Sequence, residues 1–325
     1  MASSVNGLIT ISDYTAIYNA VTTVMGTGSI TFGYGQTFNS VAKSANSIIS
    51  QSDWDLLRYD IINAITHQAG SASLTEINEH QLVSQSVISL YETLATQSST
   101  NRFNVANGQF LTVGANSDGS VLTSSKTFPG NSFVTPGTEF WRTEISCTLT
   151  VTFSSANNAR YFFNSGGEIR VQCASSGGAS SPQNASWTNL LNTIGLKSFG
   201  GQTPTTGTTP MDGTNFYKLT STFQSFYSGS ASTPYASNRL QLEAACNVAN
   251  NSSGTATIVY IKVRFIDGYN DPGAGGTTIP PASIDANTGT FSVSVTEKRA
   301  TGSLLPSGTF SITRPTYSIT AISGS

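Results

Sequence analysis

Trp141-Arg142-Thr143-Glu144-Ile145-Ser146-Cys147-Thr148-Leu149-Thr150-Val151-Thr152-Phe153 decides the fold class. Odd positions carry Trp, Ile, Cys, Leu, Val and Phe, with Thr143 the exception, and even positions carry Arg, Glu, Ser and Thr. A period of two, one face apolar and one wettable, marks a strand of an antiparallel sheet covered on one side. The same alternation recurs over 168–174, 217–223, 240–248, 257–265, 291–295 and 317–321, with Gly, Asn, Pro and Ser clusters between the runs. So many short strands predict an antiparallel β-sandwich, jelly-roll-like in kind, over residues 101–325. One short helix, Trp187–Ile194 after Ser186, interrupts it, and 200–210 reads as a Thr/Gly/Pro-rich loop.

Upstream of Thr100 the period is 3.6. Tyr14, Ile17, Val21 and Val24 recur at helical steps behind Ser12 or Asp13 as cap. Trp54, Leu57, Ile61 and Ile65 make a second stripe, with Ser52 and Asp55 in capping-box spacing and Gly70 as the stop. A third helix is expected from Glu76 to Ala95, with Val83, Val87, Leu90, Tyr91 and Leu94 on one side. The fold class is therefore α+β, a small N-terminal helical region over 1–100 followed by the sandwich. Three short helices with one stripe each bury little among themselves. Spare apolar surface, such as Trp54 or Tyr91, is then expected to meet a partner.

Composition narrows the function. Charged residues make up 10% of 325, while Ser and Thr number 48 and 44 and aromatics hold at 10%. Few charges with many aromatics is not the disordered pattern, and a net charge of −2 argues against nucleic acid, whose binding needs a clustered basic face. No run of apolar residues is long enough to span a membrane. The first six residues carry neither Lys nor Arg and lead into no apolar core, so they do not read as a secretory signal. Cys147, Cys173 and Cys246 fall on the apolar phase of their strands and read as small buried hydrophobes in a protein folding in a reducing cytoplasm.

Candidate chemistry is sparse. His67 and His80 are the two histidines, both far from every cysteine in sequence, which leaves no Ser-His-Asp, Cys-His or zinc set to assemble. His67, near a helix end, reads as a surface or capping residue. Glu144 and Glu168 each lie two residues from an arginine, Arg142 and Arg170, and read as partners in ion pairs rather than as a glycosidase couple. The segment from Asp267 to Asp271 spaces oxygen ligands alternately, as calcium loops do, but an Asx-built turn is its plainer reading. Gly26, Gly28, Gly33 and Gly35 follow a helix and lack the Lys-Ser/Thr ending of a phosphate loop, so they read as a turn. Asn184-Ala185-Ser186 and Asn250-Asn251-Ser252-Ser253 match the glycosylation pattern by chance in an Asn/Ser-rich chain.

Several stretches also carry a resemblance. They are Asp13-Tyr14 with Ile17-Tyr18, Gly33-Tyr34-Gly35-Gln36, Trp54 to Ile61, His67-Gln68-Ala69-Gly70, Arg160 to Arg170, and Ser186 to Leu191. With them the chain resembles virion structural proteins of tailed phages, especially marine T4-like myophages of cyanobacteria. The resemblance implies a non-enzymatic tail, baseplate or fibre component in the virion, assembled in the host cytoplasm. Its partners would be other virion proteins and further copies of itself, and it would have no catalytic, cofactor-binding or metal-ligating residues. Seawater shortens the Debye length to about 4–5 Å, which suits a surface built on hydroxyls and amides rather than charges. The rival expectation is a receptor-binding tip for a host surface glycan, with loop aromatics such as Tyr235 and Tyr269 stacking on sugar rings. A polysaccharide hydrolase is the third.

Overall fold

The computed structural model describes residues 10–78, 85–130, 137–202, 214–269 and 287–324. Helices α1 (Ile11–Met25), α2 (Gln51–Ala69) and α3 (Gln85–Thr100) precede strands β1 (Phe110–Gly114), β2 (Leu122–Phe128) and β3 (Glu144–Thr152). Then follow α4 (Ala156–Asn164), β4 (Glu168–Ser176), α5 (Pro182–Ile194), β5 (Lys197–Gly200) and β6 (Gln224–Ser230). The chain closes with β7 (Arg239–Cys246), β8 (Ile258–Ile266), β9 (Gly289–Ala300), β10 (Thr316–Ile319) and β11 (Ser323–Gly324). One sheet runs β1-β9-β4-β5 with β2 also on β9; the other runs β10-β3-β8-β7-β6 with β11 also on β3. The protein is thus mixed α+β, its N-terminal helices leading into two sheets whose resolved pairings are antiparallel.

The chain divides into two compact units, and they are not the linear halves 1–100 and 101–325. Unit one comprises 1–112, 154–168 and 298–314; unit two comprises 113–153, 169–297 and 315–325. Side-chain amides explain why unit one gathers distant chain. Asn63 Nδ2 donates to the Leu305 carbonyl (2.9 Å) while Asn63 Oδ1 accepts from Leu305 N (2.7 Å). Gln36 does the same to Ser311, at 2.8 Å and 2.9 Å. Each amide offers a donor and an acceptor side by side, as a neighbouring strand would, and so holds the returning backbone.

Within unit one, α1 and α2 start on capping boxes at least two residues earlier than the sequence reading: Thr10 with Asp13 and Ser50 with Asp53. Ser50–Asp53 and Ser52–Asp55 have the same spacing; the former also gives Asp53 an ion pair with Lys43 at 2.7 Å. For α3, residues 79–84, including His80 and Val83, lie outside the described residues. Its described part ends at Thr100 and buries Ile88, Tyr91, Ala95 and Ser98, whereas Leu90 is exposed. Small Ala95 and Ser98 admit close packing, and Gln68 Nε2 reaches the Ser98 carbonyl (2.8 Å). The expectation that Trp54 or Tyr91 seeks a partner is overturned. Trp54 packs edge-on against Tyr14 (5.3 Å) and Tyr91 (5.8 Å), and all three are buried. Gly33-Tyr34-Gly35-Gln36 folds back on the end of α1, with Tyr34, Gly35 and Gln36 N–H groups bonding Val24, Gly26 and Met25 carbonyls at 2.8 Å. Gly35 has φ +67°, and a Cβ there would meet the Tyr161 ring at 2.3 Å, so glycine is required twice over.

Unit two follows the period-two reading closely. Cys147 sits opposite Val263, which sits opposite Leu242; Val151, Val259 and Cys246 line up likewise. These odd positions of β3 and β8 are buried, and the even ones are half-buried except Thr152, which is exposed. All three cysteines are free thiols in the core, and burial pushes Cys147 up to about 12. Trp141 and Trp187 pack at 5.2 Å on each other and around Phe291 of β9, which meets Phe265 of β8 at 5.5 Å. Rings from the two sheets and from α5 therefore share one core.

The run 217–223 is not a strand. Asn215 caps a 3-10 turn, Phe216–Lys218, and Phe216 and Tyr217 are both buried, which successive strand residues on one covered face cannot be. The strand begins at Gln224. Helix α5 starts earlier than expected, with Ser181 as N-cap and Pro182 at its first turn.

Candidate functional site

The residues singled out for chemistry do not converge. His67 is buried, not a surface or capping group. Its ring stacks on Phe310 (4.3 Å, 9°), meets Tyr34 edge-on (5.1 Å), and its Nε2 bonds the Ser165 carbonyl at 3.0 Å, leaving Nδ1 without a partner. Burial chiefly, with Lys298 adding to it, pushes its pKa down to about 4.

That shift carries a pH signature. Neutral His67 in the fold faces an unfolded histidine near 6.5, so its stabilising contribution is whole above 6.5 and is lost as pH falls towards 4. The loss approaches ~3 kcal/mol. Asp267, in unit two, runs the other way: burial raises it to about 6, so its contribution is whole below about 4 and is lost as pH rises through 6. Amide-exchange protection in α2 should therefore fall between pH 6.5 and 4.5 while β8 holds. His67→Gln should lower α2 protection at pH 7 and remove its pH dependence. Unchanged α2 protection at pH 4.5 in the wild type would contradict a buried neutral imidazole.

Glu144 pairs with Arg264 across the β3–β8 ladder (2.6 and 2.8 Å), not with Arg142, and the Arg264 hydrogen bond draws its carboxyl below the usual range. Arg142 instead covers the Phe140 ring at 4.8 Å. Glu168 pairs with Lys298 at 3.0 Å. Arg264 also reaches Glu243 at 3.4 Å, so its guanidinium lies between two carboxylates, and no cluster of three His, Cys, Asp or Glu suited to a metal occurs among the described residues. Asn184 is buried, its amide bonded to Ala179 and Thr288; Asn251 is buried on Phe216 and Ala256.

Two surfaces do stand out. In unit one, residues 41–50 form an ordered, exposed loop. Asp60, fully buried on α2, accepts from Asn39 N, Asn39 Nδ2, Ser40 N and Ser40 Oγ at 2.6–3.0 Å, which fixes the loop's entry. Tyr14 Oη bonds the Val41 carbonyl (3.1 Å), Lys43 pairs with Asp53, and the Ser50 cap fixes the exit. Between these ties Val41 is 52% exposed and Ile48 88% exposed. Sequence reading missed Asp60, although a carboxylate beside Leu57 and Ile61 on an apolar stripe is a readable sign of a buried anchor.

In unit two, a groove of about 390 Å³ lies between α5 and residues 230–235. Asp267 ties the start of α5 in place, accepting from Gln183 Nε2 at 2.9 Å and from Asn287 Nδ2. Its other oxygen accepts from Tyr269 N (3.1 Å), an Asx turn over 267–269; Asn270 and Asp271 lie outside the described residues. Tyr235, expected to be exposed, is buried against Tyr269 with ring centroids 4.7 Å apart.

Comparison with protein-family models, with curated proteins and with solved structures finds no match for this chain.

Proposed function

We propose that the chain is a structural protein of a tailed-phage virion, a tail, baseplate or fibre component that works by assembly with further copies of itself and with other virion proteins. The carrying observation is the pinned loop that presents Val41 and Ile48 to solvent. Single exposed aliphatics are ordinary, but a loop tied at both ends that holds out an isoleucine keeps an apolar contact ready at little entropic cost. Of the nine large apolar side chains exposed among the described residues, six (Ile30, Val41, Ile48, Leu90, Leu111 and Leu305) belong to the smaller unit one, which points to that unit as the attachment side. With 10% charged residues, such contacts draw on burial and on hydroxyl and amide bonds, which salt does not screen.

Light scattering and sedimentation in 0.1 M and 1 M NaCl test the reading. Oligomers are expected at both salt concentrations, and Ile48→Asp should dissolve them while leaving the melting curve intact, because Ile48 is almost wholly exposed. A wild-type chain that stays monomeric, or an Ile48→Asp chain that assembles as before, would overturn it. Deleting residues 1–100 is a poorer test: it would strip the bed from Phe310, Leu305 and Ser165, all held by residues of that segment.

A further inference from the structure

We propose that the groove between α5 and residues 230–235 is a binding site for a neutral, hexose-based saccharide. Ser186, Asn189 and Thr193, spaced by three and four residues, share one face of α5 and line the groove opposite Ser230, Ser232 and Thr233. No hydrogen bond to another described residue engages any of these six side chains. Thr22, Thr23, Thr93 and Thr188 each bond back to the carbonyl four residues earlier, the usual resting place of a helical threonine, and Thr193 does not.

The chemistry of the lining selects the ligand. It holds no carboxylate, lysine, arginine or histidine, so a charged ligand finds no counter-charge and a hydrolysis finds no acid or base. Apolar Pro182, Ala185, Leu190 and Pro234 lie among the hydroxyls. A pyranose has the matching character: hydroxyls around its rim that both donate and accept, and C–H faces that pack on apolar groups. The size falls within the usual range for small-ligand pockets. The walls are held before any ligand arrives. Trp187 fastens α5 in the aromatic core, Gln183 fastens its start to Asp267, and the Ala231 N–H bonds the Asn238 carbonyl at 2.9 Å to close the facing loop. A preformed site spends less binding energy on ordering, which matters for ligands as weakly bound as sugars.

The test is an NMR titration of the full-length protein with four probes at millimolar concentration: cellotetraose, maltotetraose, tetragalacturonate and an uncharged tetrapeptide. One or both neutral glucans should shift the Asn189 side-chain amide and the backbone signals of Thr193 and Ser232, with weaker or no response to the acidic sugar. Asn189→Leu should weaken that binding at least tenfold with an unchanged melting curve, since Asn189 is exposed and its side chain bonds no other described residue. If neither glucan shifts these signals, if tetragalacturonate binds as well, or if the tetrapeptide alone binds, the assignment fails. The groove and the 41–50 loop belong to different units, so Ile48→Asp should leave the titration unchanged, and each proposal stands or falls separately.

Discussion

Trp187→Ala is expected to cost about 3–5 kcal/mol of stability, the range for truncating a large buried aromatic. The ring is buried and touches Trp141 (5.2 Å), Phe291 (5.9 Å) and Phe265 (6.2 Å), so its removal leaves a cavity bounded by residues of two sheets that cannot all collapse inward. Trp187→Phe should cost far less, and for a second reason besides volume. The Trp187 Nε1–H is buried without a hydrogen-bond partner, a burden of about 1–3 kcal/mol that phenylalanine removes. Urea melts of the two variants check this. The Ala variant should also lose definition at the groove, because Trp187 is the side chain that seats α5. An Ala variant as stable as the Phe variant would mean that the aromatic core tolerates its absence by repacking.

Asp60→Ala should be of similar size in unit one, about 3–5 kcal/mol, because it leaves several donors without their acceptor at about 1–3 kcal/mol each. The carboxylate is fully buried and accepts two backbone N–H groups, a hydroxyl and a side-chain amide from Asn39 and Ser40. With alanine the Asn39 and Ser40 backbone N–H groups and the Ser40 hydroxyl lose their acceptor, each costing roughly 1–3 kcal/mol unless water enters, while Asn39 Nδ2 keeps the Leu305 carbonyl. Asp60→Asn keeps the shape but turns one acceptor into a donor facing donors, so it should recover little. The local readout is sharper than the global one. Backbone amides of Asn39 and Ser40 should change from protected to freely exchanging, and the Val41–Ile48 loop should lose its fixed presentation. If assembly then survives undiminished, the pinned loop is not the attachment surface.

These two sites show how unequal the legibility of the chain was. Cys147, Leu149 and Val151 alternate in sequence because they alternate in space, so β3 and its buried face could be read directly. Trp54 was read as apolar but its neighbour was not, since nothing local says that Tyr14 and Tyr91 close over it. The nine-residue α4 escaped notice: its Ser155 cap and Phe162-Phe163 pair are weak signals, and much of its anchoring comes from Arg160 and Asn164 bonding carbonyls of Thr27, Ile30, Phe32 and Gly33. The groove was invisible for the same reason. Ser186, Asn189 and Thr193 are ordinary polar residues of a helix until residues 230–235 are laid across from them.

The amino-acid sequence alone therefore determined the change of period near residue 100, the α+β class, the inward cysteines and the scarcity of charge. Each is a property of neighbouring residues or of composition, and one-sided burial imposes it locally. Tertiary structure decided which segments make unit one, where Glu144 and Glu168 find their cations, and that His67 is an apolar core residue. Those depend on contacts between residues far apart in the chain, such as Asn63 with Leu305 and Gln36 with Ser311. A donor and an acceptor on one amide look the same in sequence whether they face water or a returning strand, and only the fold distinguishes the two.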